Sequence, residues 1–334
     1  MTRRESEQGI AMLIPSAVSG KIHSAKDESL FVACASYEDR SLATIQNLSD
    51  DYRVAHATVF LSKEYEKKGK TPEHFKLIKE RIQAACNDEP NVIRFGIAHT
   101  IQSMFEFQCL CQRWESSAQI QSITVDVSTF PREEMLLLLR VVDNLPNHPA
   151  IRLFYAEPQK YGTEEKEGWL TRGVKSVHSV PGLGGIQEPG KRKLLVIFLG
   201  HESERAAITW KRHQPSETIV IVPDPSYRSD LNGITEATHQ LSFIRFWNAS
   251  QSCRVPARGI METEQAVLDI WKKYHDSYYL VVAPLGTKLQ TLGIYRAARI
   301  KPDIQITYAA PVIYNFESYS KGIGPIWEIL WNAP

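Results

Sequence analysis

The sequence predicts an α/β protein of two tandem Rossmann-like units, each a doubly wound parallel sheet, paired as a pseudo-dimer. Three observations lead there. The 334 residues are too many for one ordinary core and suit two domains. Short apolar runs alternate with helical patterns, as in parallel strands joined by right-handed crossovers. Three segments also recur in the same order in both halves. The implied divisions are an N-terminal extension over residues 1–27, a first repeat over 28–185 and a second over 186–334.

The first recurring segment is an apolar run that leads through a small turn to an acid and an arginine. It is Leu30–Ala35 then Ser36-Tyr37-Glu38-Asp39-Arg40 in one half, and Leu194–Leu199 then Gly200-His201-Glu202-Ser203-Glu204-Arg205 in the other. Each reads as a buried strand, a tight loop and the first turn of a helix, where carboxylates favour the positive end of the dipole. The second segment is strand, loop and helix. Ile123–Val127, Ser128–Arg132 and the helix Glu133–Val142 match Tyr279–Ala283, Pro284–Lys288 and the helix Leu289–Arg299, with Arg132 opposite Lys288. The third sets Ile151–Tyr161 against Ile304–Tyr314, with the Ile, Tyr-Ala, Pro and Tyr positions coinciding without a gap. Offsets of about 165, 156 and 153 residues keep all three in register.

The remaining elements follow from periodicity. Tyr52–Leu61 and Thr218–Pro223 are β-branched second strands, and Val92–Arg94 and Cys253–Val255 are short third strands. Phe75–Cys86, His99–Trp114 and Glu262–Tyr274 carry helical patterns. Gly182-Leu183-Gly184-Gly185 after Pro181 reads as turn or linker rather than a phosphate loop.

Composition narrows the function classes. A formal net charge of +1 gives no overall basic field for nucleic acid. No apolar run approaches the roughly 18 residues that cross a bilayer, and Ile10–Pro15 behind Arg3 and Arg4 is short for a signal core. Five scattered cysteines fit a reducing compartment, so a cytoplasmic location is expected. Cys109-Leu110-Cys111 has no second pair at metal-ligand spacing, and neither a metal nor a cofactor is expected.

In an open α/β sheet a ligand binds beyond the carboxyl ends of the strands, where strand order reverses. The loops flanking that point are the two that recur here. Gly286-Thr287-Lys288 at a helix start suits an anion: glycine admits close approach, free N–H groups and the dipole attract it, and Lys288 adds charge. The GxxxxGK[ST] and G-x-G-x-x-G spacings are absent. Arg40 and Arg205, beside Glu38 and Glu204, fit either phosphate contacts or ties between a helix and the sheet. Tyr155 and Tyr308 end apolar strands and read as packing, whereas Tyr161 and Tyr314 lie just beyond and could stack on a base. Asp224 follows a second strand, where it could meet a ribose or form a Pro-Asp-Pro turn. His201 is the one acid–base candidate, but its counterpart is Ser36, and no Ser/His/Asp order, HExxH or zinc-finger spacing is present.

Leu285-Gly286-Thr287-Lys288, between a buried strand and a helix, resembles the Gly-Thr-Lys loop of CARF domains (CRISPR-associated Rossmann folds). Those domains sense cyclic or linear oligonucleotide second messengers across a two-fold interface, and that loop touches the ligand. The resemblance covers about five residues plus topology. It implies ligand contacts at Gly286, Thr287 and Lys288, and at Thr129 and Arg132 by repeat equivalence. The first half departs from it, with Phe130-Pro131-Arg132 in place of Gly-Thr-Lys. The leading expectation is a nucleotide-binding sensor or regulatory subunit of a prokaryotic antiviral defence system, acting with a separate protein effector because no nuclease-like or helix-turn-helix segment is read in the chain. A homo-oligomer is compatible with this, and no membrane partner is expected. The alternatives are a nucleotide-processing enzyme of phosphodiesterase or ring-nuclease type, and a non-catalytic assembly scaffold.

Overall fold

The computed structural model describes residues 13–86, 88–96, 100–117, 120–162, 168–242 and 251–331. Arg3, Arg4, Ile10–Met12 and the anticipated helix start at His99 lie outside them. Two compact units are present: residues up to Leu170 together with those from Asn315 onward, and Thr171–Tyr314.

The first unit opens with β1 (Ser16–Ala17) and then β2 (Glu28–Ala35), whose eight residues are all buried. Burial on both faces is what a continuous Leu-Phe-Val-Ala run demands of a central parallel strand. There follow α1 (Ala43–Asn47), β3 (His56–Ser62), α2 (Thr71–Ala85), β4 (Asn91–Phe95), α3 (Thr100–Ser117), β5 (Ser122–Asp126), α4 (Arg132–Asp143), β6 (Ala150–Ala156) and β7 (Lys160–Tyr161). The N-terminal extension takes part: Leu13 and Ile22 are buried, and Ile22 bridges to Leu48.

The second unit begins with β8 (Thr171–Gly184) and β9 (Arg192–Phe198). It continues with α5 (Ser203–His213), β10 (Glu217–Pro223), α6 (Ile234–Ser242), β11 (Gln251–Val255), α7 (Ile260–Tyr274), β12 (Tyr278–Pro284), α8 (Lys288–Ile300) and β13 (Gln305–Tyr314). The chain then returns to the first unit for β14 (Ser320–Lys321) and β15 (Ile326–Trp331).

Strand order is the same in both units. The first sheet runs β4-β3-β2-β5-β6-β15 with β1 on its outer edge, and the second runs β11-β10-β9-β12-β13-β8. Five strands of each are parallel, and the sixth, β15 or β8, is antiparallel to its neighbour. Two Rossmann-like α/β units are therefore present, as expected.

The division point differs from the expected one at 185/186. Residues 171–184, assigned in advance to the first half, pair with β13, while the last strand of the chain, β15, pairs with β6. Each sheet is thus completed by a strand from the other half of the sequence. Pro181, Gly182 and Gly184 belong to the end of β8 rather than to a linker. An edge strand tolerates them because one side needs no ladder hydrogen bonds. Trp331 fixes β15 through an indole N–H donated to Asp143 Oδ1 at 2.9 Å. No helix among the described residues is long and apolar enough to cross a membrane.

Candidate functional site

Strand order reverses between β2 and β5 in the first unit and between β9 and β12 in the second, and each pair is adjacent and parallel. The two repeated loops must therefore meet at the carboxyl ends of these strands. In the first unit Thr129, nine-tenths buried, donates its hydroxyl to the Cys34 carbonyl at 2.6 Å. In the second the backbones themselves touch, since a Cβ on Gly200 would fall 1.9 Å from the Leu285 carbonyl oxygen. Only glycine fits there.

Arg40 and Arg205 resolve toward the fold. Arg40 is 3% exposed and grips Glu38 with Nε and Nη2 at 2.8 and 3.1 Å, while Nη1 donates to the Ala156 carbonyl at 3.3 Å. Arg205 donates from Nε and Nη2 to the Ala309 carbonyl at 3.0 and 2.6 Å and from Nη1 to Glu202 at 2.9 Å. Burial opposes each positive charge, but the adjacent carboxylate and two neighbouring tyrosines together outweigh it, so both guanidinium groups hold their proton more tightly than usual. Each arginine ties its first loop to the fifth parallel strand of its unit.

The tyrosines join the same clusters. Tyr308 and Tyr314 share a hydroxyl hydrogen bond of 3.0 Å, and Arg205 lies 5.5 Å from the Tyr308 ring centroid. In the first unit burial raises the Tyr155 hydroxyl pKa, with Tyr161 as its hydrogen-bonded neighbour. Tyr161 and Tyr314 are half-buried rather than open platforms.

The two helix starts differ. Thr287 caps α8 with a capping box: its hydroxyl accepts from Gln290 N, and Gln290 Oε1 accepts from Thr287 N, both at 3.1 Å. The same hydroxyl donates to the Ala257 carbonyl. Lys288, 8% exposed, is the first helical residue, and no acid stands in that turn. A cation there opposes the dipole. In α4 the N-cap is Pro131 without a side-chain cap, and Arg132 is followed by the buried Glu133 and Glu134. Burial, then Glu133, pushes the Glu134 carboxyl up to about 8. Phe130, at 1% exposure, packs its ring 5.2 Å from that of Phe60 in the space beside this loop.

The other candidates are peripheral. His201 is half-buried, with its ring 6.3 Å from that of Tyr227 in an edge contact. Asp224 accepts from Arg254 Nη1 at 2.9 Å, and Arg254 also reaches Glu236 at 2.8 Å. No group of three or more His, Cys, Asp or Glu side chains able to hold a metal ion occurs among the described residues.

Four acids of the first loops pair with residues outside the three recurring segments. Glu38 accepts from Ser320 Oγ at 2.6 Å, and Glu202 accepts from Thr171 Oγ1. The N–H of Gly322 donates to Asp39 Oδ2 at 3.0 Å, and that of Gly173 to Glu204 Oε2 at 3.3 Å. Thr171-Arg172-Gly173 and Ser320-Lys321-Gly322 are thus a fourth recurrence, detectable only as hydroxyl, base, glycine at an offset of about 149 residues.

No protein family matches the chain, and no curated protein matches it. Among solved structures it resembles one described as a Type III CRISPR defence DNA nuclease activated by cyclic oligoadenylate, with a TM-score of 0.48 and 9% identity over 84% of this chain. The chain spans 65% of the length of that structure. Strand order and register define the two Rossmann-like units.

Proposed function

We propose that the chain is a nucleotide-binding sensor or regulatory subunit of prokaryotic antiviral defence, with its ligand site at the Gly200 and Gly286–Lys288 loops of the second unit. One observation carries this reading. At the reversal point of that sheet, two glycine-bearing loops meet at a helix start that bears a buried lysine and no acid. The helix dipole and the lysine favour an anion there. The CARF-like Leu285–Lys288 loop supports a nucleotide as that anion and a separate effector protein as its partner. The same loop position in the first unit has Phe130 and two buried glutamates, so it offers an anion little.

The test is a thermal-shift screen against mono-, di- and cyclic oligonucleotides. A ligand that binds only the folded state raises its melting temperature. We expect a rise in the wild type that Lys288→Ala abolishes. Absence of a shift with every nucleotide overturns the reading and directs attention to a protein partner.

A further inference from the structure

Glu38 and Glu202 hold the same post in the two units. Each accepts from its buried arginine and from a hydroxyl of the fourth recurrence, Ser320 or Thr171. The residues just before them are therefore counterparts: Tyr37 in the first unit and His201 in the second. Counting back from the arginines instead sets His201 against Ser36, because the second loop has one more residue between acid and arginine.

This pairing reveals a shared construction. Tyr37 packs its ring 5.4 Å from that of Tyr65, and the ring of His201 lies 6.3 Å from that of Tyr227. Tyr65 and Tyr227 both stand in the loop after the second strand, just past β3 and β10. Both are 8% exposed, while Tyr37 and His201 are half-buried. In each unit a buried tyrosine thus props a more open ring at the carboxyl end of the sheet. What the two units keep is an aromatic face, since the hydrogen-bonding groups of tyrosine and histidine differ.

In the second unit this ring stands beside the helix start proposed for the anion. Gly200 presses on the Leu285 carbonyl, so the adjacent His201 backbone starts within about 7 Å of that oxygen. Tyr227 is tied to the same helix start. Its carbonyl accepts from Arg258 Nη2, and the neighbouring Ala257 carbonyl accepts from Thr287. A nucleotide carries an aromatic base one sugar away from its phosphate, and every base has a face that can stack on a ring. The first unit differs. Tyr319 packs 6.4 Å from Tyr37, and Lys68 lies over the rings of Tyr65 and Phe316 at 5.5 and 5.4 Å. Its ring pair is part of a larger aromatic cluster, where burial raises the Tyr37 hydroxyl pKa.

We propose that His201 is a base-stacking residue of the second unit's ligand site. The ligand class is a nucleotide held by its phosphate at Gly286–Lys288 and by its base on the His201 ring. This deepens the nucleotide reading and rests on it.

Titration calorimetry on the full chain compares two kinds of probe. One is the set of mono-, di- and cyclic oligonucleotides of the thermal-shift screen; the other is inorganic tripolyphosphate, which has charge but no ring. The variants are His201→Ala, His201→Tyr and Lys288→Ala, each with its ligand-free melting temperature recorded. We expect His201→Ala to bind nucleotide about tenfold more weakly, as for loss of one stacked base, with tripolyphosphate binding unchanged. His201→Tyr, which supplies the ring type found at Tyr37, should restore most of the affinity. An equal loss for nucleotide and tripolyphosphate, or a loss that His201→Tyr does not restore, overturns the proposal. Nucleotide binding lost in Lys288→Ala but untouched by His201→Ala sinks this proposal alone. No response to any nucleotide removes the reading on which it rests.

Discussion

The starts of α4 and α8 occupy the same place in two sheets of identical strand order, yet their first turns carry different ionisable groups. α8 opens with Gly286, a capped Thr287 and Lys288, and its first turn holds no acid. α4 opens with Phe130, Pro131 and Arg132, then the buried Glu133 and Glu134. What the two units share is the frame: a buried arginine locked to the carbonyl of Ala156 or Ala309 and to a loop glutamate. The difference teaches that a frame can persist while the surface it supports diverges. Residues that looked alike in sequence, such as Arg40 and Lys288, therefore belong to separate layers of the architecture.

The sharpest break of this comparison removes the frame. Arg40→Ala strands Glu38 at 5% exposure and should cost about 3–5 kcal/mol, as for one partner of a buried pair. Arg205→Ala should cost less, because the Glu202 side chain retains 15% exposure and can rehydrate. Urea unfolding followed by circular dichroism ranks the two, and equal losses would mean the pairs are equally buried in solution.

Next comes the acidic helix start. Glu134 has a folded pKa of about 8 against an ordinary 4.5. Its contribution is fully present below about pH 4.5 and is lost as pH rises through 8, since the folded state binds the extra proton in that window. Glu134→Gln should flatten that fall and stabilise the chain by about 1–3 kcal/mol at alkaline pH, comparable to relieving a buried unsatisfied group. Melting temperatures from pH 5 to pH 9 test it, and parallel curves for variant and wild type would refute it.

The smallest effect belongs to the basic helix start. Thr287→Ala removes the capping box and should cost about 1 kcal/mol. Denaturant titration checks it, and a loss below measurement error would show that Gln290 holds the loop alone.

Much of the fold was legible because burial on both faces leaves an unmistakable record. Leu30–Ala35 and Leu194–Leu199 fall on β2 and β9 to within two residues. The same holds for the helix starts at Arg132 and Lys288 and for the short third strands. β8 escaped notice for a physical reason. Its register comes from β13, its residues are mostly half-exposed or exposed, and its Pro and Gly are harmless only because it lies at an edge. β15 escaped because nothing local says that the last strand belongs with the first unit. The site was legible as a place, since topology selects the loops. The division of labour within it was not, because a sequence lists Arg40 and Lys288 as charges without saying which is spent on a neighbouring carbonyl.

The strand exchange sets the order in which a growing chain can finish folding. β8 emerges before the rest of the second sheet, so that unit has all its strands once β13 has been made. The first unit has β2 to β6 early, but its closing strand follows the whole of the second unit in the chain. Until then the edge of β6 presents unpaired backbone groups, the kind of surface that invites stray pairing. The first unit to be started is therefore the last to be closed, and its exposed edge must wait on the ribosome for the length of an entire second domain.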